Sequence, residues 1–149
     1  GVLRQNLEAT GMGYGLEVDM IHMAHEMDMF TSPYCFNPDE AVAMVKAGCD
    51  LLVPHVGLTT AGTIGAGVAL TLDEAIAKVM AMAEAAWKVR KDQWVMCHGG
   101  PFDEPQNVAY ALANMPGIVG FYGASSAERL PTERGITGQV KEFKKMKMA

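Results

Sequence analysis

Gly120-Phe121-Tyr122-Gly123-Ala124-Ser125-Ser126-Ala127-Glu128-Arg129-Leu130-Pro131-Thr132-Glu133 decides how this chain of 149 residues folds. It reads as a short apolar strand, a turn of small residues and the start of a helix. Gly123, Ala124, Ser125 and Ser126 have little side-chain bulk, so their backbone N–H groups can approach a ligand closely. Pro131 and Glu133 suit the first turn of the following helix, whose positive dipole end then faces the turn. A strand–turn–helix of this kind, last in a series of strand–helix units, is where α/β barrels commonly hold a phosphate.

Working back from this segment, the same alternation repeats. A helix is expected from about Leu16 to Met29, followed by a strand from Phe30 to Phe36 that contains Pro33. Asn37-Pro38-Asp39-Glu40 caps a helix that runs to about Ala47 and stops at Gly48. Asp50 to His55 is the next strand, and a Gly/Thr-rich loop spans Val56 to Leu70. Thr71-Leu72-Asp73-Glu74 is a capping box opening a long helix to about Arg90. Gln93 to His98 forms a third strand, Pro105 to Asn114 a helix, and Ile118 to Tyr122 a fourth strand. The last helix spans about Pro131 to Met146, with Gly135 and Gly138 weakening its first half. Short apolar strands alternating with helices predict a parallel sheet buried on both faces. A doubly wound open sheet and half of a (β/α)8 barrel both fit. The segment from Gly1 to Gly15 reads as the tail of a loop, and an opening on Gly1 rather than Met as a start within a longer sequence.

Composition narrows the function. The net charge is −5, so a nucleic-acid interface, which needs a basic patch, is not expected. The Lys141/Lys144/Lys145/Lys147 cluster reads as a solvated helix end. No apolar run is long enough for a membrane span to be expected, and no signal-peptide pattern is read at the opening of the chain. Cys35, Cys49 and Cys97 lack metal-ligand spacing and read as free thiols, which points to a cytoplasmic location. The 12 Met residues read mainly as core and helix-packing residues, with a Met-lined partner surface as the alternative.

The chemistry-bearing residues gather after the strands, the edge at which both candidate architectures bind ligands. Asn37 follows the first strand, which itself contains Tyr34. His55 ends the second, before a loop carrying Thr59, Thr60, Gly62 and Thr63 that is long enough to act as a lid. His98-Gly99-Gly100 ends the third, and Gly123, Ala124, Ser125, Ser126, Glu128 and Arg129 follow the fourth. His55 and His98 are candidate acid–base groups or hydrogen-bonding partners for a carboxylate or phosphate. Arg129 is suited to clamping a carboxylate, and Glu128 to acting as a base. His22 and His25, three apart on the first helix, read as surface or packing residues, and no clustered metal ligands are visible.

Gly11-Met12-Gly13-Tyr14, Pro33-Tyr34, His55-Val56-Gly57-Leu58-Thr59, Cys97-His98-Gly99-Gly100-Pro101 and Gly120 to Ser126, in this order, resemble the phosphoenolpyruvate hydrolase-like TIM-barrel family, also called the TIM-barrel signal-transduction family. The resemblance covers essentially the whole chain. It implies a single partial domain over residues 1–149 that holds the second half of the barrel, with 1–29 as the loop and helix of the fourth unit and 30–149 as four β–α units. It also implies an enzyme resembling phosphoenolpyruvate and phosphonopyruvate hydrolases, acting on a small phosphorylated or phosphonate carboxylic acid. In that reading Gly99, Gly100 and Gly123 to Ser126 cradle the phosphate, and His98 and His55 polarise or protonate the substrate. Mg²⁺ would be held largely by residues outside this chain, so the isolated chain is expected to be inactive. A fused ATP-binding domain is a further implication, while the Met-bearing helices of the chain itself point to a homo-oligomer. The alternatives are a non-catalytic ligand-sensing barrel and a sugar-phosphate enzyme similar to indole-glycerol-phosphate synthase. The second lacks a strand-end lysine here.

Overall fold

A computed structural model describes residues 2–67 and 70–147. Two helices, α1 (Val2–Ala9) and α2 (Gly15–Glu26), lead into four β–α units. These are β1 (Tyr34–Cys35) with α3 (Pro38–Lys46), β2 (Leu51–Pro54) with α4 (Leu72–Val89), β3 (Trp94–Cys97) with α5 (Pro105–Ala113), and β4 (Gly120–Phe121) with α6 (Arg129–Lys144). All pairings are parallel and the strand order is β1-β2-β3-β4.

That order separates the two expected architectures. A doubly wound sheet reverses direction at a switch point. Here each strand lies beside its predecessor, and right-handed crossovers made in one direction place every helix on the same face. Consecutive helices accordingly pack as neighbours, α2 on α3, α3 on α4 and α4 on α5. This is the singly wound arrangement of a (β/α)8 barrel, of which four units are half.

The core lies between the helix layer and the sheet. Leu52, Val95, Cys35 and Cys97 from the strands meet Met44, Val79, Met82, Ala83, Ala86 and Met115, all essentially inaccessible to solvent. Burial pushes the Cys49 thiol up to about 12 and the Cys97 thiol up to about 11, so both are unreactive packing groups. The expectation of a sheet buried on both faces fails at one end. The sheet is lined by helices on one side only, and Trp94 at the start of β3 is 58% exposed. None of the described helices is long and apolar enough to cross a membrane.

The boundaries differ in instructive ways. Residues 2–9 are helical rather than a loop tail. Nothing on α1 is buried; it is held by an Arg4–Glu40 ion pair, by Arg4 lying 5.3 Å over the Tyr14 ring, and by the Glu8 carboxylate accepting from the Tyr14 N–H. The first strand shrinks to two residues because Pro33 has no N–H and the Thr31 N–H is taken by the Asp50 side chain. Residues 31 and 33 still accept from Leu51 and Val53, so the segment runs extended beside β2. α2 stops at Glu26 rather than Met29 because Asp28 turns left-handed (φ 58°) and Met29 N–H returns to the Ala24 carbonyl. α6 begins at Arg129, two residues early. It continues through Gly135 and Gly138, neither of which has a neighbour within 4 Å of an added Cβ. The expected Val56–Leu70 loop is present, with residues 68 and 69 outside the described residues. The expected helix caps also form: the Thr71/Glu74 capping box, and Asn37 accepting from the Glu40 N–H.

Candidate functional site

Strand register builds the site. Tyr34 pairs with Val53, Leu52 with Val95 and Cys97 with Phe121, and the His55↔His98 bridge continues the ladder. Carried one step on, these pairings put Phe36, His55, His98 and Tyr122 in one row across the C-terminal ends of all four strands. Side chains alternate along a strand, so the row points away from the helix layer. The rings touch: His55 and His98 centroids are 4.9 Å apart, Phe36 lies 5.3 Å from His55, and Tyr122 lies 5.9 Å from His98. Tyr34, two residues before Phe36 on the same face, stacks on His98 at 4.8 Å with 16° between planes.

Backbone contacts give the two imidazoles opposite tautomers. His98 Nδ1 lies 2.6 Å from the Tyr122 carbonyl oxygen, which can only accept, so Nδ1 carries the proton. His55 Nδ1 instead accepts from the Gly57 N–H at 3.2 Å, so in the neutral ring the proton sits on Nε2. The nitrogens left for a ligand therefore differ. His55 offers an Nε2–H donor, and His98 offers an Nε2 lone pair. Burial, followed by the neighbouring His98, lowers the His55 pKa from its ordinary value. This has a stability consequence. The contribution from keeping His55 neutral is complete above the ordinary histidine value near 6.5 and is lost as pH falls from there through the lower folded value. The melting temperature is expected to decline over that acidic interval, and His55→Gln should flatten the decline in a pH series of thermal melts.

A cavity of about 260 Å³ opens beside the pair, lined by both histidines and by Gly57, Leu58, Thr59, Ile64, Gly99, Ala124, Ser125 and Arg129. Seven of the residues singled out from the sequence thus converge: His55, Thr59, His98, Gly99, Ala124, Ser125 and Arg129. In the turn after β4, the N–H groups of Ala127, Glu128, Arg129 and Leu130 are spent on the Ala124 and Ser125 carbonyls. Those of Ala124, Ser125 and Ser126 meet no acceptor among the described residues.

The other candidates sit elsewhere, each with an identifiable task. Asn37 is the cap of α3, its amide oxygen accepting from Glu40 N–H at 2.9 Å and its Nδ2 donating to Glu40 Oε1 at 2.7 Å. Thr60 donates to the buried Asp103 at 3.0 Å. Gly100 gives its N–H to the Gly57 carbonyl at 2.7 Å, so that donor is taken by the fold. Gly123 leaves room for Phe121 and Ser126, and the Ser126 hydroxyl is buried without a partner. Glu128 is exposed at the start of α6, outside the cavity lining.

The Gly/Thr loop does not hang free over the mouth. Arg129 Nη2 donates to the Ala61 carbonyl at 2.9 Å and Nη1 to Glu133 at 2.7 Å. The Glu133 carboxylate also accepts from the Thr63 N–H and hydroxyl, both at 3.0 Å. Arg129, then the Thr63 backbone, hold the Glu133 carboxyl below the usual carboxylate range. Gly62 lies under this clasp, where a Cβ would stand 2.2 Å from Arg129 Nη1. With Thr60–Asp103, three ties pin the loop.

Among the described residues no three His, Cys, Asp or Glu side chains are grouped to hold a metal ion. Both Asp103 oxygens are occupied, by Thr60 and Asn107. The residues present therefore do not fit a Mg²⁺ site. Reasoning from the sequence also missed Tyr34 and Tyr122 as site residues. The signal was available, since aligning the four strand ends puts aromatic residues beside both histidines.

Comparison with known proteins assigns the family. The model of the phosphoenolpyruvate hydrolase-like family matches residues 1–146. The chain belongs to that family. Among curated relatives, the tomato (Solanum lycopersicum) ToMV resistance protein Tm-1(GCR237) and ToMV susceptible protein tm-1(GCR26) are each 54% identical over 148 residues. The match takes in 99% of this chain and 20% of each tomato protein, so the chain spans about a fifth of their length. A putative transcriptional regulatory protein, y4pA, of Sinorhizobium fredii is 26% identical over 144 residues, 97% of this chain and 24% of that protein. Among solved structures, nitroalkane oxidase from Streptomyces ansochromogenes superposes with a TM-score of 0.47 at 20% identity, covering 73% of this chain and 31% of that one.

Proposed function

We propose that the cavity between His55, His98 and the Ala124–Ser126 turn binds a small phosphorylated or phosphonate carboxylic acid, and that the site cleaves it as a phosphoenolpyruvate or phosphonopyruvate hydrolase would. The observation that carries this reading is the opposite tautomers of two histidines in contact at one cavity wall. The phosphate end lies against the free N–H groups of the turn, the Ser125 hydroxyl and the Arg129 guanidinium. The carboxylate–enol end faces His55, and the attacking water lies in line opposite it, on the His98 side of phosphorus. His98 Nε2 accepts a proton from the attacking water as its oxygen bonds to phosphorus. The bond from phosphorus to the enol oxygen, or to carbon in a phosphonate, breaks as that bond forms. His55 Nε2–H hydrogen-bonds to the enolate oxygen that develops; solvent then protonates the enolate carbon while His98 returns its proton to solvent, giving pyruvate alongside phosphate. If the reaction takes Mg²⁺, its ligands come from beyond the described residues.

A second reading, a ligand-sensing barrel, is favoured by the pinned loop and by the absence of any carboxylate side chain from the cavity lining. It fits relatives whose names speak of resistance and of transcriptional regulation rather than of an enzyme. A sugar-phosphate synthase reading has no support in the lining, which contains no lysine. We further propose a cytoplasmic protein working as a homo-oligomer, with an ATP-binding domain fused to the barrel. The test is to incubate a complete-barrel protein carrying this chain with phosphoenolpyruvate or phosphonopyruvate, with and without Mg²⁺, and follow both pyruvate release and the melting temperature. Pyruvate release supports the hydrolase. A rise in melting temperature without pyruvate supports the sensor, and neither response removes the site.

A further inference from the structure

We infer that Tyr34 is a positioning residue that holds the His98 ring in its Nδ1–H form, and that Tyr14 positions Tyr34 from outside the sheet. His98 is held at one point by its Nδ1–H bond to the Tyr122 carbonyl. A single bond leaves an imidazole free to tilt or flip, and a flipped ring would present a different nitrogen to the cavity. The Tyr34 ring removes that freedom by lying parallel to His98 at 4.8 Å. It also meets His55 edge-on at 5.1 Å and Tyr122 edge-on at 6.2 Å, so one ring braces three others.

Tyr34 needs an anchor because, among the described residues, β1 has β2 as its one neighbour in the sheet. The Pro33 and Cys35 carbonyls accept from Val53 and His55, so they point toward β2. Carbonyls alternate along a strand, and the Tyr34 carbonyl therefore points out from the open edge. The Tyr14 hydroxyl donates to it at 2.5 Å. Burial pushes the Tyr14 phenol well above its ordinary value, so it stays a donor throughout the working pH range. Tyr14 stands at the start of α2, twenty residues from Tyr34, and its ring meets Phe36 edge-on at 6.3 Å.

The experiment reads the His98 tautomer directly by nitrogen-15 NMR of the imidazole rings, at a pH well above the ordinary histidine range. It needs no ligand, so its outcome is independent of the proposed hydrolase reading. In the unaltered chain Nε2 should give a pyridine-like signal, the mark of an unprotonated nitrogen. Tyr34→Phe keeps the ring and should leave that signal in place. Tyr34→Leu should move it toward the protonated position by a large part of the full range, and Tyr14→Phe should move it in the same direction by less. If Tyr34→Leu does not fold, Tyr14→Phe decides alone, since it deletes one hydroxyl and keeps the ring. A pyridine-like Nε2 signal unchanged in the folded ring-deletion variant, or in Tyr14→Phe where that variant alone folds, overturns the inference.

Discussion

Replacing Gly99 by alanine is expected to destabilise the protein by about 2–4 kcal/mol, roughly 5–15 °C in melting temperature for a domain of this size. Two separate costs combine. Gly99 has φ +82°, a left-handed conformation that a residue with a Cβ rarely adopts. The added Cβ would also stand 2.3 Å from the Gly57 carbonyl oxygen. That carbonyl cannot retreat cheaply, because it accepts the Gly100 N–H at 2.7 Å, while the Val56 N–H reaches across to the His98 carbonyl. These bonds lace the ends of β2 and β3 together and hold His55 and His98 in contact. A thermal melt followed by circular dichroism measures the loss. Gly135→Ala is the matched control, in open space within α6, and should raise stability by about 0.5–1 kcal/mol. A Gly99→Ala variant as stable as the control would show that the turn relaxes freely.

This prediction also bears on how glycine-rich turns read in a sequence. Gly99-Gly100 looks like a cradle for phosphate when only side-chain bulk is considered. In the structure the pair lets one loop backbone rest on another, and only Gly99 lines the cavity. The composition of a loop shows where backbones approach closely but not whether the approaching atom belongs to a ligand or to the next strand. The same ambiguity applies to Arg129. A guanidinium at a strand-end loop suits a carboxylate, and the carboxylate it meets is Glu133 four residues on, with Ala61 as its second acceptor. Nothing in the spacing distinguished that partner from a substrate. Helix starts were legible because capping is local: Asn37 and Thr71 act on groups three residues away. The β–α alternation was legible for the same reason. The row of Phe36, His55, His98 and Tyr122 depends on register between strands, which only hydrogen bonding across the sheet determines. The helical 2–9 segment was missed because its support is one ion pair, one aromatic face and one hydrogen bond from the Tyr14 N–H, with no buried apolar stripe to set a period.

In a complete barrel carrying this chain, replacing His98 by glutamine is expected to reduce pyruvate release by about 10²–10⁴-fold, the range spanned by a single general acid–base group. Glutamine can still donate a hydrogen bond toward the Tyr122 carbonyl, but it cannot take up the proton of an attacking water. Binding should survive, because the phosphate end of the proposed site is built from Ser125, Arg129 and the N–H groups of the turn rather than from His98. The two readouts should therefore separate, with ligand-induced thermal stabilisation retained and turnover lost. His55→Gln should behave differently. Its amide N–H can partly replace the lost Nε2–H donor, so turnover should fall less than in the His98 variant. Equal losses in the two variants would contradict the division of roles drawn from the Nδ1 contacts. Unchanged turnover in His98→Gln would place the base elsewhere. The exposed Glu128 would then be the next group to test, although reaching the cavity would require the turn before α6 to open, breaking the Ala124 and Ser125 carbonyl bonds that now close it.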